Sequence, residues 1–131
     1  MSEEEADRVR AAFESLAQTG EFDPDWLAPD VRWHLRADLP DSETLVGRDR
    51  VLQFLAEWTE AFQEPRFDLE ELIDAGDRLI VVQRLRGRLR GSNDEVEMSE
   101  THVYKTQDRQ ILEVWEYRTK AEALESLGLA E

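Results

Sequence analysis

Between Phe67 and Arg118 four segments alternate in side-chain character with period two, and only three short turns separate them. The segments are 67–74, 78–90, 96–105 and 111–118, and the turns read AGD, GSN and QDR. Period two marks a half-buried strand. Strands joined by turns this short pair with their sequence neighbours in antiparallel fashion. The second half of the chain is thereby committed to a meandering sheet, and whatever precedes it must cover one face.

The preceding stretch has the period of helices. Ser2 and Glu5 form a capping box, after which Ala6, Val9, Phe13 and Leu16 recur at three- and four-residue steps until Gly20. That spacing predicts an amphipathic helix over about residues 3–19. Asp23 and Pro24 open one short turn through Trp26 and Leu27 before Pro29. Val31 to Arg36 alternates as a strand, with Val31, Trp33 and Leu35 on one side and His34 on the other, toward the outer sheet surface. Residues 37–47 form a polar loop, and its acidic part, Asp38 to Glu43, is expected to be a solvated rim. A second helix carries Val51, Leu55, Trp58 and Phe62 on one stripe and is closed by Pro65. Thr119 and Glu122 cap a last short helix that Gly128 ends. The fold class is α+β, in a single domain spanning 1–131.

Composition narrows the function. With 31 acidic residues against 16 basic ones, the formal net charge of −15 repels phosphate backbones and anionic lipid. No nucleic-acid or membrane partner is expected. Cysteine is absent, which excludes thiolate catalysis and thiolate metal sites. The two histidines, His34 and His102, are too few for a multi-histidine zinc site, so no metal is expected. The acidic start, MSEEEADRVR, has no apolar core of a secretion signal, and no segment reaches the ~20 apolar residues of a membrane span. The expectation is a cytoplasmic protein.

Ionisable residues interrupt the last two strands at two-residue spacing. Glu100 and His102 share a face of the segment VEMSETHVYK, and Glu116 lies in ILEVWEYR. Charge inside apolar strands points to an ion pair, a wet cavity or a reactive site. Their mutual placement depends on the turn. A three-residue turn at 107–109 sets Glu100 opposite Glu116 and His102 opposite Val114. A two-residue turn at Asp108–Arg109 sets Thr101 and Ser99 beside Glu116 instead, because a one-residue slip exchanges faces. The longer turn is favoured, since Asp-Arg lacks the glycine that two-residue turns prefer.

The element order, with LAPDVRWHL, GRDRVLQFLAEW, IDAGDRLIVVQRLRGR and VYKTQDRQILEVWEY along it, resembles the SnoaL-like branch of the nuclear-transport-factor-2-like superfamily. The resemblance implies a bent antiparallel or mixed sheet of five to six strands wrapped around three to four helices, a cone with an interior pocket. That architecture hosts polyketide cyclases, ketosteroid isomerases, epoxide hydrolases and dehydratases, so fold alone does not choose an activity. Laid against the epoxide-hydrolase branch, Trp33, Leu35, Val82, Arg84, Arg86 and Glu116 fall toward the cone interior. Leu35 stands where that branch has Asn, Arg86 where it has Asp, and Glu116 where it has the last-strand Asp. In ketosteroid isomerases the base sits at about Leu35, so neither pattern is complete here.

The candidate catalytic groups are therefore Glu116 as proton carrier, His102 as its assistant and Arg84 to stabilise developing negative charge. Trp33, Leu35, Trp58, Glu100, Arg86, Phe13 and Met98 would line the substrate site. No organic cofactor is implied. The outward face, with Leu79, Val81, Leu85, Val103, Trp115 and Tyr117, is too apolar to stay in water, and the resemblance implies that it pairs with a second subunit in a two-fold homodimer. Three functions remain open: an acid–base enzyme of isomerase, cyclase, dehydratase or hydrolase type acting on a small apolar or polycyclic compound, a non-catalytic ligand-binding protein, and a dimeric interaction module with a filled cone.

Overall fold

The computed structural model describes residues 3–19, 23–40 and 42–129. Helix α1 spans Glu3–Thr19 and places Ala6, Val9 and Phe13 on its buried stripe, as their spacing requires. Ser2 and Gly20, expected to cap and stop it, lie outside the described residues, as does the side chain of Leu16. A single 3₁₀ turn at Pro24–Trp26 follows, capped by the Asp23 carboxylate accepting from the Asp25 amide. Strand β1 then runs Leu27–His34 and β2 Thr44–Val46, followed by helix α2 at Arg48–Glu60. Strands β3 (Phe62–Asp74), β4 (Leu79–Leu89), β5 (Glu95–Gln107) and β6 (Gln110–Tyr117) form the meander, and α3 (Lys120–Ser126) ends the described fold.

The six strands lie in the order β2-β1-β6-β5-β4-β3, all antiparallel except the β1–β6 pair. That parallel contact makes the sheet mixed. The sequence pattern missed β2, which has three residues, because only Leu45 in it turns inward. It also extended α2 too far. The helix stops at Glu60 because the Arg90 side chain takes the Glu60 carbonyl and the Arg90 amide takes that of Ala61. Phe62 consequently begins β3, where Gly87 lets it approach: a Cβ on Gly87 would sit 3.1 Å from the Phe62 Cβ. Pro65 does not end a helix but sits at an irregularity of this edge strand, next to Glu64 at φ 52°.

Two layers of apolar packing flank the sheet. On its inner face α1 and α2 bury Val9, Phe13 and Val51 against Val31 and Trp33 of β1, Leu79 and Val81 of β4, and Val114 of β6. On the outer face α3 lays Ala123 and Leu124 over Ile80 and Val103. Its end is closed by Leu129 and Gly128 amides donating to the Leu124 and Glu125 carbonyls, with Gly128 at φ 73°. This corrects the outward apolar face expected from sequence. Leu79, Val81 and Leu85 point inward, while Val103, Trp115 and Tyr117 do face outward but lie in the patch that α3 packs on. No helix among the described residues is long and apolar enough to cross a membrane.

Candidate functional site

Curvature of the sheet leaves a chamber of about 570 Å³ between its inner face and helices α1 and α2. Phe13, Trp33, Leu35, Trp58, Met98, Glu100, His102 and Glu116 all line it, as the sequence suggested. Arg84 and Arg86 do not. The β4 register sets Gln83 opposite Glu100 and Leu85 opposite Met98, so those two face inward, while Arg84 between them and Arg86 beyond face out. Arg84 forms ion pairs with Glu70 and Glu97 at 3.0 Å each, and Arg86 with Asp68 at 2.6 Å. Arg84 is therefore a cross-strand ion-pair residue and no part of the chamber. Val82 likewise faces outward, opposite Thr101. Plain alternation in RLRGRLR, with Leu85 in and the arginines out, was the better guide than the motif alignment.

The β5–β6 hairpin resolves the register differently from either alternative. Its turn has two residues, Asp108 and Arg109, both with positive φ (50° and 71°), and Gln107 pairs with Gln110. One step further, Thr106 pairs with Ile111 but Lys105 pairs with Glu113, leaving Leu112 as an extra residue in β6. The short turn and the bulge each reverse side-chain parity, and together they restore it. His102 thus lies directly opposite Glu116, two residues from the expected position but on the expected face.

At the floor of the chamber these groups converge. The Glu100 Oε1 accepts from His102 Nε2 at 2.8 Å, and Glu116 Oε2 lies 3.8 Å from the same nitrogen. Trp33 Nε1 donates to Glu116 Oε2 at 2.7 Å, and its ring meets His102 edge-on at 5.6 Å between centroids. The Gln83 amide lies 3.2 Å from both ring nitrogens of His102. Burial is nearly complete, with 7% of the Glu116 side chain and 6% of the His102 side chain exposed.

Burial raises the Glu116 carboxyl above its ordinary value of 4.5, and the negative charge of Glu100 pushes the same way. His102, the Trp33 donor and the Arg36 backbone amide oppose this without cancelling it. Burial also pushes the Tyr104 hydroxyl up, so this wall residue stays protonated. Glu100, His102 and Glu116 each present one potential ligand atom within 4.8 Å of the others. The Arg36 guanidinium, 3.5 Å from Glu100 Oε2, already supplies positive charge there, and no metal is assigned to the group.

Arg36, Gln83 and Tyr104 escaped the sequence reading. Arg36 follows β1, where alternation would send it outward. The strand ends at His34, the Leu35 amide donates to the Glu43 carbonyl, and Arg36 is free to turn toward Glu100. No local pattern marks that change. His34 meets its expectation, lying between Thr44 and Glu113 and stacking on Trp115.

A sequence profile of the SnoaL-like domain matches residues 6–114. Among solved structures, an NTF2-like protein of unknown function from Burkholderia pseudomallei superposes with a TM-score of 0.71 at 23% identity, over 95% of this chain and 97% of that one. A candidate SnoaL-like polyketide cyclase from Jannaschia sp. gives 0.71 at 21% identity, over 93% and 89%. TerC, co-crystallized with polyporic acid, gives 0.67 at 18%, over 92% and 95%. At such identities the likeness concerns the fold. No curated protein matches the chain in sequence.

Proposed function

This chain belongs to the SnoaL-like domain family, with the α+β cone of NTF2-like proteins, and we propose that it is a cofactor-independent acid–base enzyme acting on a small apolar or polycyclic compound. The observation that carries the proposal is the Glu116 carboxyl: buried, raised above its ordinary value, and exposed only to a chamber with apolar walls. In its protonated form a carboxyl in such a place can give its proton to a carbonyl, epoxide or hydroxyl oxygen and recover one from the carbon framework. His102, 3.8 Å away, is placed to relay that proton, and Glu100 orients the ring. Phe13, Trp33, Leu35, Trp58 and Met98 form the substrate-facing walls. The volume falls within the several hundred Å³ typical of small-molecule sites. TerC, found with polyporic acid on the same fold, supports a small organic ligand.

Turnover of a panel of polycyclic ketones and epoxides by wild type and Glu116→Gln tests this. The variant should lose about 10²–10⁴-fold in kcat while ligand affinity changes little. Equal turnover by the two proteins would remove Glu116 from the chemistry. A non-catalytic binding protein is the second reading, favoured by the 2.7 Å Trp33 bond that already satisfies Glu116. It predicts tight binding by both proteins and turnover by neither. An open chamber counts against a filled interaction module. A homodimer is retained in the proposal, through the half-buried Trp115 and Tyr117 on the outer face.

A further inference from the structure

We infer that Arg36 is the positioning residue of this site, the one residue that ties the chamber carboxylate of Glu100 to the rim of the cone. The inference rests on the proton-transfer reading for its catalytic consequence but not for its physical test. Arg36 acts through its guanidinium. Its guanidinium Nη1 lies 3.5 Å from Glu100 Oε2, the oxygen not used by His102. Its backbone lies on the Glu116 side of the chamber and favours the ionised form of that carboxyl. Deleting the side chain would strip Glu100 of its guanidinium partner while leaving the backbone beside Glu116 in place.

The guanidinium does not float. Nε and Nη2 donate to the two oxygens of Asp38 at 3.0 and 2.7 Å, a two-point clamp that fixes its plane. Only 14% of the Arg36 side chain is exposed, against 47% for Asp38. The same rim segment supplies Leu39 and Ser42 to the chamber mouth, and Ser42 donates to the Leu35 carbonyl. A single short loop thus carries wall residues for a ligand and the cation of the proton cluster. Chain geometry forces this coupling, because Arg36 and Leu39 are three residues apart.

Electrostatics give the arrangement its consequence. The negative charge of Glu100 raises the Glu116 carboxyl, so whatever neutralises Glu100 restrains that rise. The groups facing the pair are few. Arg36 and Asp38 come from the rim, His102 and Tyr104 from β5, and the field of Arg118 reaches Asp38. Helices α1 and α2 and strands β3 and β4 contribute only uncharged side chains to the lining. His102 Nε2 lies 2.8 Å from the other oxygen of Glu100, and Arg36 is the one permanently charged cation paired with Glu100 among the described residues.

The test uses Arg36→Met, which keeps bulk, Arg36→Lys, which keeps charge, and Asp38→Asn, which frees the guanidinium from its clamp. Carbon-detected NMR of ¹³C-glutamate protein, with Glu116→Gln to assign the signal, reads Glu116 directly and without ligand. Arg36→Met should move the Glu116 titration upward, Arg36→Lys should restore most of it, and Asp38→Asn should move it downward. Where turnover is found, the alkaline limb of the pH profile, on which protonated Glu116 is lost, should follow in the same directions. At a pH on that limb, the change should be roughly three- to tenfold in kcat for Arg36→Met, with KM little altered. A purely structural arginine would lower thermal stability in all three variants and leave the titration in place. An unmoved Glu116 signal in folded Arg36→Met overturns the inference. If Arg36→Met does not fold, an unmoved signal in Asp38→Asn does so. Titration shifts without turnover by any protein would uphold the role of Arg36 and refute the enzyme reading, which keeps the two failures apart.

Discussion

Replacing Glu116 by Gln should stabilise this protein, and by an amount that grows with pH. Gln is nearly isosteric and keeps an oxygen for the Trp33 Nε1 bond of 2.7 Å, so packing and the main hydrogen bond survive. What changes is the charge. The folded-state value of Glu116 is raised, chiefly by burial, so the folded protein binds this proton more tightly than the unfolded chain does. A raised group contributes its stability below the unfolded value, here 4.5, and that contribution disappears as pH rises through the folded value. Above it, wild type carries an ionised carboxylate with 7% of its side chain exposed, held by the Trp33 donor and the nearby His102.

Partial compensation of that kind leaves a penalty of about 1–3 kcal/mol relative to a neutral side chain. For a chain of this size the difference corresponds to roughly 3–10 °C in Tm. Thermal melts of the two proteins across a pH series provide the assay. The curves should coincide at about pH 4 and separate as pH rises, with the variant melting higher on the alkaline side. A separation that does not depend on pH, or a variant that melts lower at alkaline pH, would refute the argument that burial dominates at Glu116.

Two further expectations follow from the same geometry. Trp33→Phe removes the 2.7 Å donor to Glu116 and should cost about 1–3 kcal/mol, more above the Glu116 titration than below it; melts at both ends of the pH range check the asymmetry. Sedimentation equilibrium should find a dimer that Trp115→Glu dissociates, whereas a wild-type monomer would remove the outer face from the proposal and leave the chamber untouched.

Much of this molecule was legible from residue order. The helices follow from the three- and four-residue spacing of Ala6, Val9 and Phe13 and of Val51 and Leu55, and the meander from period two and short turns. The alternation of Glu100 and His102, and the apolar neighbours of Glu116, marked the strands that carry the site. Periodicity reports on such features because a side chain's direction within one element depends only on that element's geometry.

Relations between elements were a different matter. Whether Glu100 or His102 stands across from Glu116 depends on a bulge at Leu112, and one unpaired residue exchanges the faces of everything beyond it. Arg84 and Gln83 are adjacent, and only pairing with β5 decided which of them reached the chamber. Arg36 entered the site because β1 ends two residues earlier than its alternation suggests. In each case a unit step in register or strand length, too small in energy to leave a mark in local composition, was settled by packing across the whole sheet.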